Sequence, residues 1–90
     1  MDKYLRYPRA YYQAGEELKK LIDDYWDGKI SESVAKEYVR HYAKIGMLFK
    51  EGSVNEVNPT VYSRIQAKRK KVILRMLGDY RFDEVLKRRE

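Results

Sequence analysis

No cysteine occurs in the chain, which removes disulfides and thiolate metal sites from consideration. The single histidine, His41, has no second histidine or cysteine to share a metal with, so neither a metal nor another cofactor is expected. No run approaches the roughly 20 apolar residues that a membrane-spanning helix needs. Met1 to Arg9 carries Asp2, Lys3, Arg6 and Arg9 with no apolar run behind them, unlike a signal peptide. A soluble, cytoplasmic protein is the expectation. Phosphate-binding glycine loops of the G-x-x-x-x-G-K-[ST] and G-x-G-x-x-G types are missing, as is any nucleophile beside a base, so the chain reads as a non-enzyme. The most informative absence is local: no acidic residue lies between Asn58 and Leu77.

What is present is a folded, basic chain of 90 residues with 43% hydrophobic and 38% charged residues. A chain of this size forms a single domain, here 1–90, with a modest core that leaves little room for a deep private pocket. The net charge of +6 is uneven, with nine basic and eight acidic residues in Met1–Ile45 against eleven and six in Gly46–Glu90. The attraction for an anionic partner is therefore concentrated in the second half. Nine Tyr, two Phe and one Trp are many aromatics for so small an interior, and they point to a homo-oligomer.

The periodicity predicts an all-α fold: a small bundle of three amphipathic helices plus a short C-terminal helix. Residues 1–7 read as an aromatic, basic arm whose Tyr4, Leu5 and Tyr7 pack on the chain's own helices or on a partner subunit. A first helix over 8–27 places Tyr11, Ala14, Leu18, Leu21, Ile22 and Tyr25 on one face, with Asp23 and Asp24 turned outward, and Gly28 closes it. Gly15 inside this helix costs about 1 kcal/mol relative to Ala, which suggests a close approach by another backbone. Ser31 caps a second helix over 31–50 with the stripe Val34, Tyr38, Tyr42, Ile45 and Phe49, ending at Gly52. Asn58 and Pro59 open a third helix over 59–77, Gly78 stops it, and Phe82, Val85 and Leu86 dock a fourth over 80–88.

The stretch N-P-T-V-Y-S-R-I-Q-A-K-R-K-K-V-I-L-R-M-L-G from Asn58 to Gly78 holds six basic residues. At 100° per residue Arg64, Lys68, Lys71 and Arg75 form one stripe beside an apolar face of Val61, Ile65, Val72, Ile73 and Met76. A helix bearing charge only for solubility would more often interleave Glu at i, i+4. Arg69 projects into the apolar sector, where its guanidinium must find a carboxylate or a ligand or else snorkel out to water. The helix N-terminus is an anion site by its backbone N–H groups and partial positive charge, with Ser53, Asn55, Thr60 and Ser63 as neutral donors and Tyr62 placed to cover a base or sugar.

The segments D-D-Y-W-D-G-K-I-S-E-S-V-A-K-E-Y-V (Asp23 to Val39), F-K-E-G-S-V-N (Phe49 to Asn55) and A-K-R-K-K-V-I-L-R-M-L-G (Ala67 to Gly78) resemble a set of short uncharacterised helical proteins of low-GC Gram-positive bacteria and their phages. That resemblance brings no activity to any residue and implies a small accessory protein of mobile elements. The leading expectation is a binding protein that sequesters an anionic, phosphate-bearing small ligand, such as a nucleotide-derived signal, between subunits, as a phage-encoded antagonist of host defence would. A basic helical module for nucleic acid is the alternative, and a protein-directed inhibitor or adaptor the second alternative.

Overall fold

The structure, a computed structural model, describes residues 4–52 and 56–89, with side chains through Gly78. It consists of α1 (Tyr11–Trp26), α2 (Glu32–Lys44) and α3 (Pro59–Arg89). The fold is all-helical, and an isolated antiparallel bridge from Phe49 to Val57 is the extended pairing found among the described residues. No helix among them is long and apolar enough to cross a membrane.

α1 starts at Tyr11, later than the sequence pattern suggests. Pro8 is buried, and the Gln13 side-chain oxygen accepts the Arg9 N–H at 2.8 Å, which holds the lead-in extended up to Ala10 at φ −144°, ψ 155°. The helix closes as expected at Gly28, φ 77°, where Gly28 N–H donates to Tyr25 C=O at 3.1 Å and Lys29 N–H to Asp24 C=O at 2.9 Å. These are the paired bonds of a Schellman cap, which the left-handed glycine permits.

α2 opens on Ser31, whose hydroxyl accepts the Val34 N–H at 3.3 Å. It ends at Lys44, well short of residue 50. Gly46, φ 80°, builds a second Schellman cap, with Met47 N–H donating to Tyr42 C=O at 2.9 Å. The apolar residues beyond the cap pack from a loop: Leu48 is fully buried, and Lys50 N–H to Glu56 C=O at 2.8 Å and Asn58 N–H to Leu48 C=O at 3.0 Å fasten its two sides. The buried face of α2 is Ala35, Tyr38, Val39 and Tyr42. Val34 is exposed, because the seam runs through the small Ala35 instead.

α3 begins at the Asn58–Pro59 signal. Within it Gln66 (φ 64°, ψ −178°) and Gly78 (φ 44°, ψ −128°) depart from helical geometry. Gly78 interrupts the helix where a stop was expected, but a separate fourth helix over 80–88 is not shown: α3 runs on past the kink to Arg89. The expected docking of Phe82, Val85 and Leu86 lies outside the described side chains. Gln66 is the more costly break, since a non-glycine at positive φ stores about 1–3 kcal/mol.

Leu18, Leu21 and Ile22 of α1, Val39 and Tyr42 of α2, and Val61, Ile65, Ile73 and Leu77 of α3 form the dry centre. The α1–α3 interface is the largest. It closes over Gly15, where a Cβ would stand 2.8 Å from both Cβ and Cγ of Arg64 and 3.2 Å from the Val61 carbonyl oxygen. Arg64 Cβ is anchored to the α3 backbone and cannot swing away. Gly15→Ala is therefore expected to lose about 1–3 kcal/mol to overpacking and to regain about 1 kcal/mol of helix propensity. A net fall in the urea midpoint checks this, whereas a gain in stability would show the contact to be slack.

The N-terminal arm is strapped across α1 and α2 of its own chain. Tyr4 is buried, meets Tyr38 edge-on at 5.1 Å and donates its hydroxyl to Asp24 Oδ2. Leu5 N–H donates to Glu17 Oε1 at 2.7 Å, and Leu5 C=O accepts from the Tyr42 hydroxyl. Arg6 pairs with Glu37 at 3.1 Å and lies 5.2 Å from the Tyr38 ring centroid, while its carbonyl is 2.6 Å from His41 Nε2. Leu5 and Tyr7 remain exposed.

Candidate functional site

The first turn of α3 has no backbone N–H to spare. Pro59 lacks an N–H, Asn58 Oδ1 accepts from Thr60 N–H at 2.9 Å and Val61 N–H at 3.4 Å, and Tyr62 N–H already makes the first helical bond, to Asn58 C=O at 2.8 Å. The cap that announces the helix in the sequence thus satisfies the orphan N–H groups an anion would need. Ser63 donates its hydroxyl to Thr60 C=O at 2.7 Å, and the Lys70 ammonium sits 5.2 Å from the Tyr62 ring centroid. Ser53 and Asn55 lie outside the described residues. A phosphate seated on this terminus, as the sequence suggests, has no backbone donor left to meet it.

The basic stripe is divided. A continuous stripe from Arg64 to Arg75 requires unbroken helix, and Gln66 interrupts it. Lys68, Lys71 and Arg75 share the uninterrupted stretch before Gly78 at i, i+3, i+7 spacing and are all exposed. No described carboxylate pairs with any of them. Arg64 belongs to a different neighbourhood: its stem lies on Gly15, and its Nη1 is 3.6 Å from Glu16 Oε2. Replacing it disturbs helix packing as well as charge.

Arg69 finds its carboxylate. Its Nε donates to Asp23 Oδ1 at 2.9 Å, its Nη2 to Asp23 Oδ2 at 3.1 Å, and its Nη1 to Ile65 C=O at 3.3 Å, with the guanidinium 5.7 Å from the Trp26 ring centroid. Asp23 and Asp24 are consequently not a solvated face, contrary to the sequence expectation, since each is engaged by a residue far away in sequence. The Arg69 side chain is 19% exposed and that of Asp23 39%, between the regimes of buried and surface pairs. Arg69→Ala is expected to cost about 1.5–3 kcal/mol, the range for hydrogen bonds to charged groups. A double-mutant cycle with Asp23→Ala measures the coupling by thermal unfolding, and additivity of the two losses would show that the pair contributes nothing of its own.

Between α1 and α3 lies an open cleft of about 260 Å³ lined by Glu16, Lys19, Ser63, Arg64, Gln66 and Arg69. It gathers three of the predicted site residues, Ser63, Arg64 and Arg69, and leaves Lys68, Lys71 and Arg75 outside its lining. Lys19, Glu16 and Gln66 are additions that the α3 pattern alone does not name. The available signal was Gly15, one turn before Lys19, which marks where α3 crosses α1. Among the described residues no group of three His, Cys, Asp or Glu is placed to hold a metal ion.

No curated protein and no solved structure matches the chain. Residues 5–78, which take in the arm from Leu5, both caps, the cleft and the basic stretch of α3, match the sequence profile of a family described as "Conserved hypothetical protein", and the chain belongs to that family.

Proposed function

We propose that this chain is a non-enzymatic binding protein for a phosphate-bearing anion, taken up on the outer side of α3. The observation that carries the reading is the exposed set Lys68, Lys71 and Arg75, which no described carboxylate neutralises, while Glu16 and Asp23 of α1 are engaged by Arg64 and Arg69. The preferred ligand is a small nucleotide-derived signal, sequestered in the cytoplasm. A cleft of about 260 Å³ falls short of the roughly 300–1,000 Å³ of enclosing ligand pockets. A nucleotide would accordingly be held between copies of the chain, which makes the active form a homo-oligomer.

The openness of the same surface favours nucleic acid as the second reading. Lys68, Lys71 and Arg75 rise along the helix in steps of about 4.5 and 6 Å, a row suited to a phosphodiester backbone. Three such contacts give a slope of about −2.7 in log K against log salt on duplex DNA.

The test sets small molecules co-purified from a host extract, identified by mass spectrometry, beside DNA and RNA binding at two salt concentrations. Replacement of Lys68, Lys71 and Arg75 together by Gln is expected to weaken binding at least about tenfold, some 1.4 kcal/mol, with an unchanged melting temperature because all three are exposed. If that variant binds every anionic ligand as the parent does, the reading is wrong.

A further inference from the structure

We infer that the α1–α3 cleft is a seat for a single tetrahedral oxyanion, the terminal phosphate of a phosphomonoester, with Glu16 as a built-in competitor that the incoming phosphate displaces. The inference rests on the reading of a phosphate-bearing ligand and adds to the outer face of α3 a second seat, for the ligand's terminal phosphate, apart from the capped N-terminus of α3.

The cleft converges three cations, Lys19, Arg64 and Arg69, on one space with a single carboxylate, Glu16. Arg69 supplies more than structure. Of the five N–H donors of a guanidinium, Asp23 and the Ile65 carbonyl take three, and two remain for a ligand. Because Asp23 holds that guanidinium in place, those two donors are pre-oriented, which suits the fixed geometry of phosphate oxygens. Lys19 is exposed at the rim and adds a mobile point charge. Gln66 brings an amide at the backbone position of α3 held at φ 64°.

Glu16 decides how the site behaves when empty. Its carboxylate stands 3.6 Å from Arg64 Nη1, beyond direct hydrogen-bond range, and both side chains are about half exposed, at 49% and 48%. Such a contact is weak and exchangeable. A phosphate dianion brings twice the charge and several acceptor oxygens to the same guanidinium, so Arg64 turns from Glu16 to the ligand. With Arg69 already paired to Asp23, the contact keeps the unliganded cleft from carrying Lys19 and Arg64 unopposed, and it sets a threshold that weak monoanions do not cross.

Titration of the isotope-labelled protein with inorganic phosphate, at an ionic strength held constant with sodium chloride, tests this by amide chemical shifts. Saturable shifts are expected at Lys19, Arg64 and Gln66. Lys19→Gln and Arg64→Gln are expected to weaken phosphate about fivefold each, while Glu16→Gln tightens it about threefold, changes typical of single exposed charges. Glutamine at position 64 keeps Cβ and Cγ against Gly15, so folding is retained, and unchanged spectra away from the cleft verify it. The opposite signs for Lys19 and Glu16 on neighbouring turns of one helix are what general surface adsorption does not produce. The inference is overturned by shifts that stay linear in phosphate, or by a Glu16→Gln variant that binds no tighter. If Lys19→Gln and Arg64→Gln leave phosphate binding intact while the Lys68, Lys71 and Arg75 variant abolishes it, the cleft is not the seat and the reading of the outer α3 face stands. If no phosphate-bearing ligand binds at all, both fall.

Discussion

Tyr4→Ala is expected to cost about 3–5 kcal/mol, the range for removing a large aromatic side chain from a core. In a domain of this size each kcal/mol lowers the melting temperature by about 4–8 °C, so the variant should melt at least about 12 °C below the parent. Tyr4 is 5% exposed, stands edge-on to Tyr38, and its hydroxyl ties the arm to Asp24 on α1. Tyr4→Phe separates the contributions. Keeping the ring and losing one hydrogen bond should cost about 0.5–1.5 kcal/mol. Thermal unfolding followed by circular dichroism reads both, and a Tyr4→Ala variant that melts with the parent would show that the arm adds nothing to the core.

Stability should also decline steeply above about pH 10. Burial is the main cause that pushes both the Tyr4 and Tyr42 hydroxyls up from the ordinary value of 10.0, reinforced at Tyr4 by the hydrogen bond to Asp24 and at Tyr42 by the negative charge of Glu17. With the folded pKa above the unfolded one, the folded state keeps its proton where the unfolded chain has lost it. The contribution is complete below pH 10 and is lost as the pH rises through the raised values. The slope approaches about 1.4 kcal/mol per pH unit for each tyrosine, or about 2.7 for the two together. Urea midpoints between about pH 9 and 11 measure it. The double variant Tyr4→Phe, Tyr42→Phe should flatten the profile, and a parent protein whose midpoint does not move over that interval would contradict the assignment.

Signals carried by adjacent residues were legible in the chain itself. Ser31 and Asn58 cap the helices their positions announce, Gly15 marks a close approach, and Arg69 in an apolar sector asks for a carboxylate, a ligand or an escape to water. The losses came where an answer depends on a distant segment. Ile45 and Phe49 continue the α2 stripe across Gly46, whose left-handed cap ends the helix, and nothing local reveals that Leu48 and Phe49 are claimed by the strand-like pairing with residues 56–58. Asp23 and Asp24 point away from the apolar face of α1, yet Arg69 and Tyr4 reach them across 46 and 20 positions. At the N-terminal end of α3 the observed cap takes the N–H groups on which the expected anion site relied. A good N-cap and a vacant anion site use the same N–H groups, and a residue pattern does not say which of the two holds them. Lys19 was overlooked because its significance depends on the crossing of α1 and α3.

The strap formed by the arm also imposes an order on synthesis. The partners named for Tyr4, Leu5 and Arg6 run from Glu17 to Tyr42. At about 5–20 residues per second, the ribosome takes roughly 2–8 s to pass from Tyr4 to Tyr42. Throughout that interval the arm lacks its full set of partners, and its tyrosines and leucine are available to chaperones or to neighbouring nascent chains. The arm can close only after α2 has been made and set against α1.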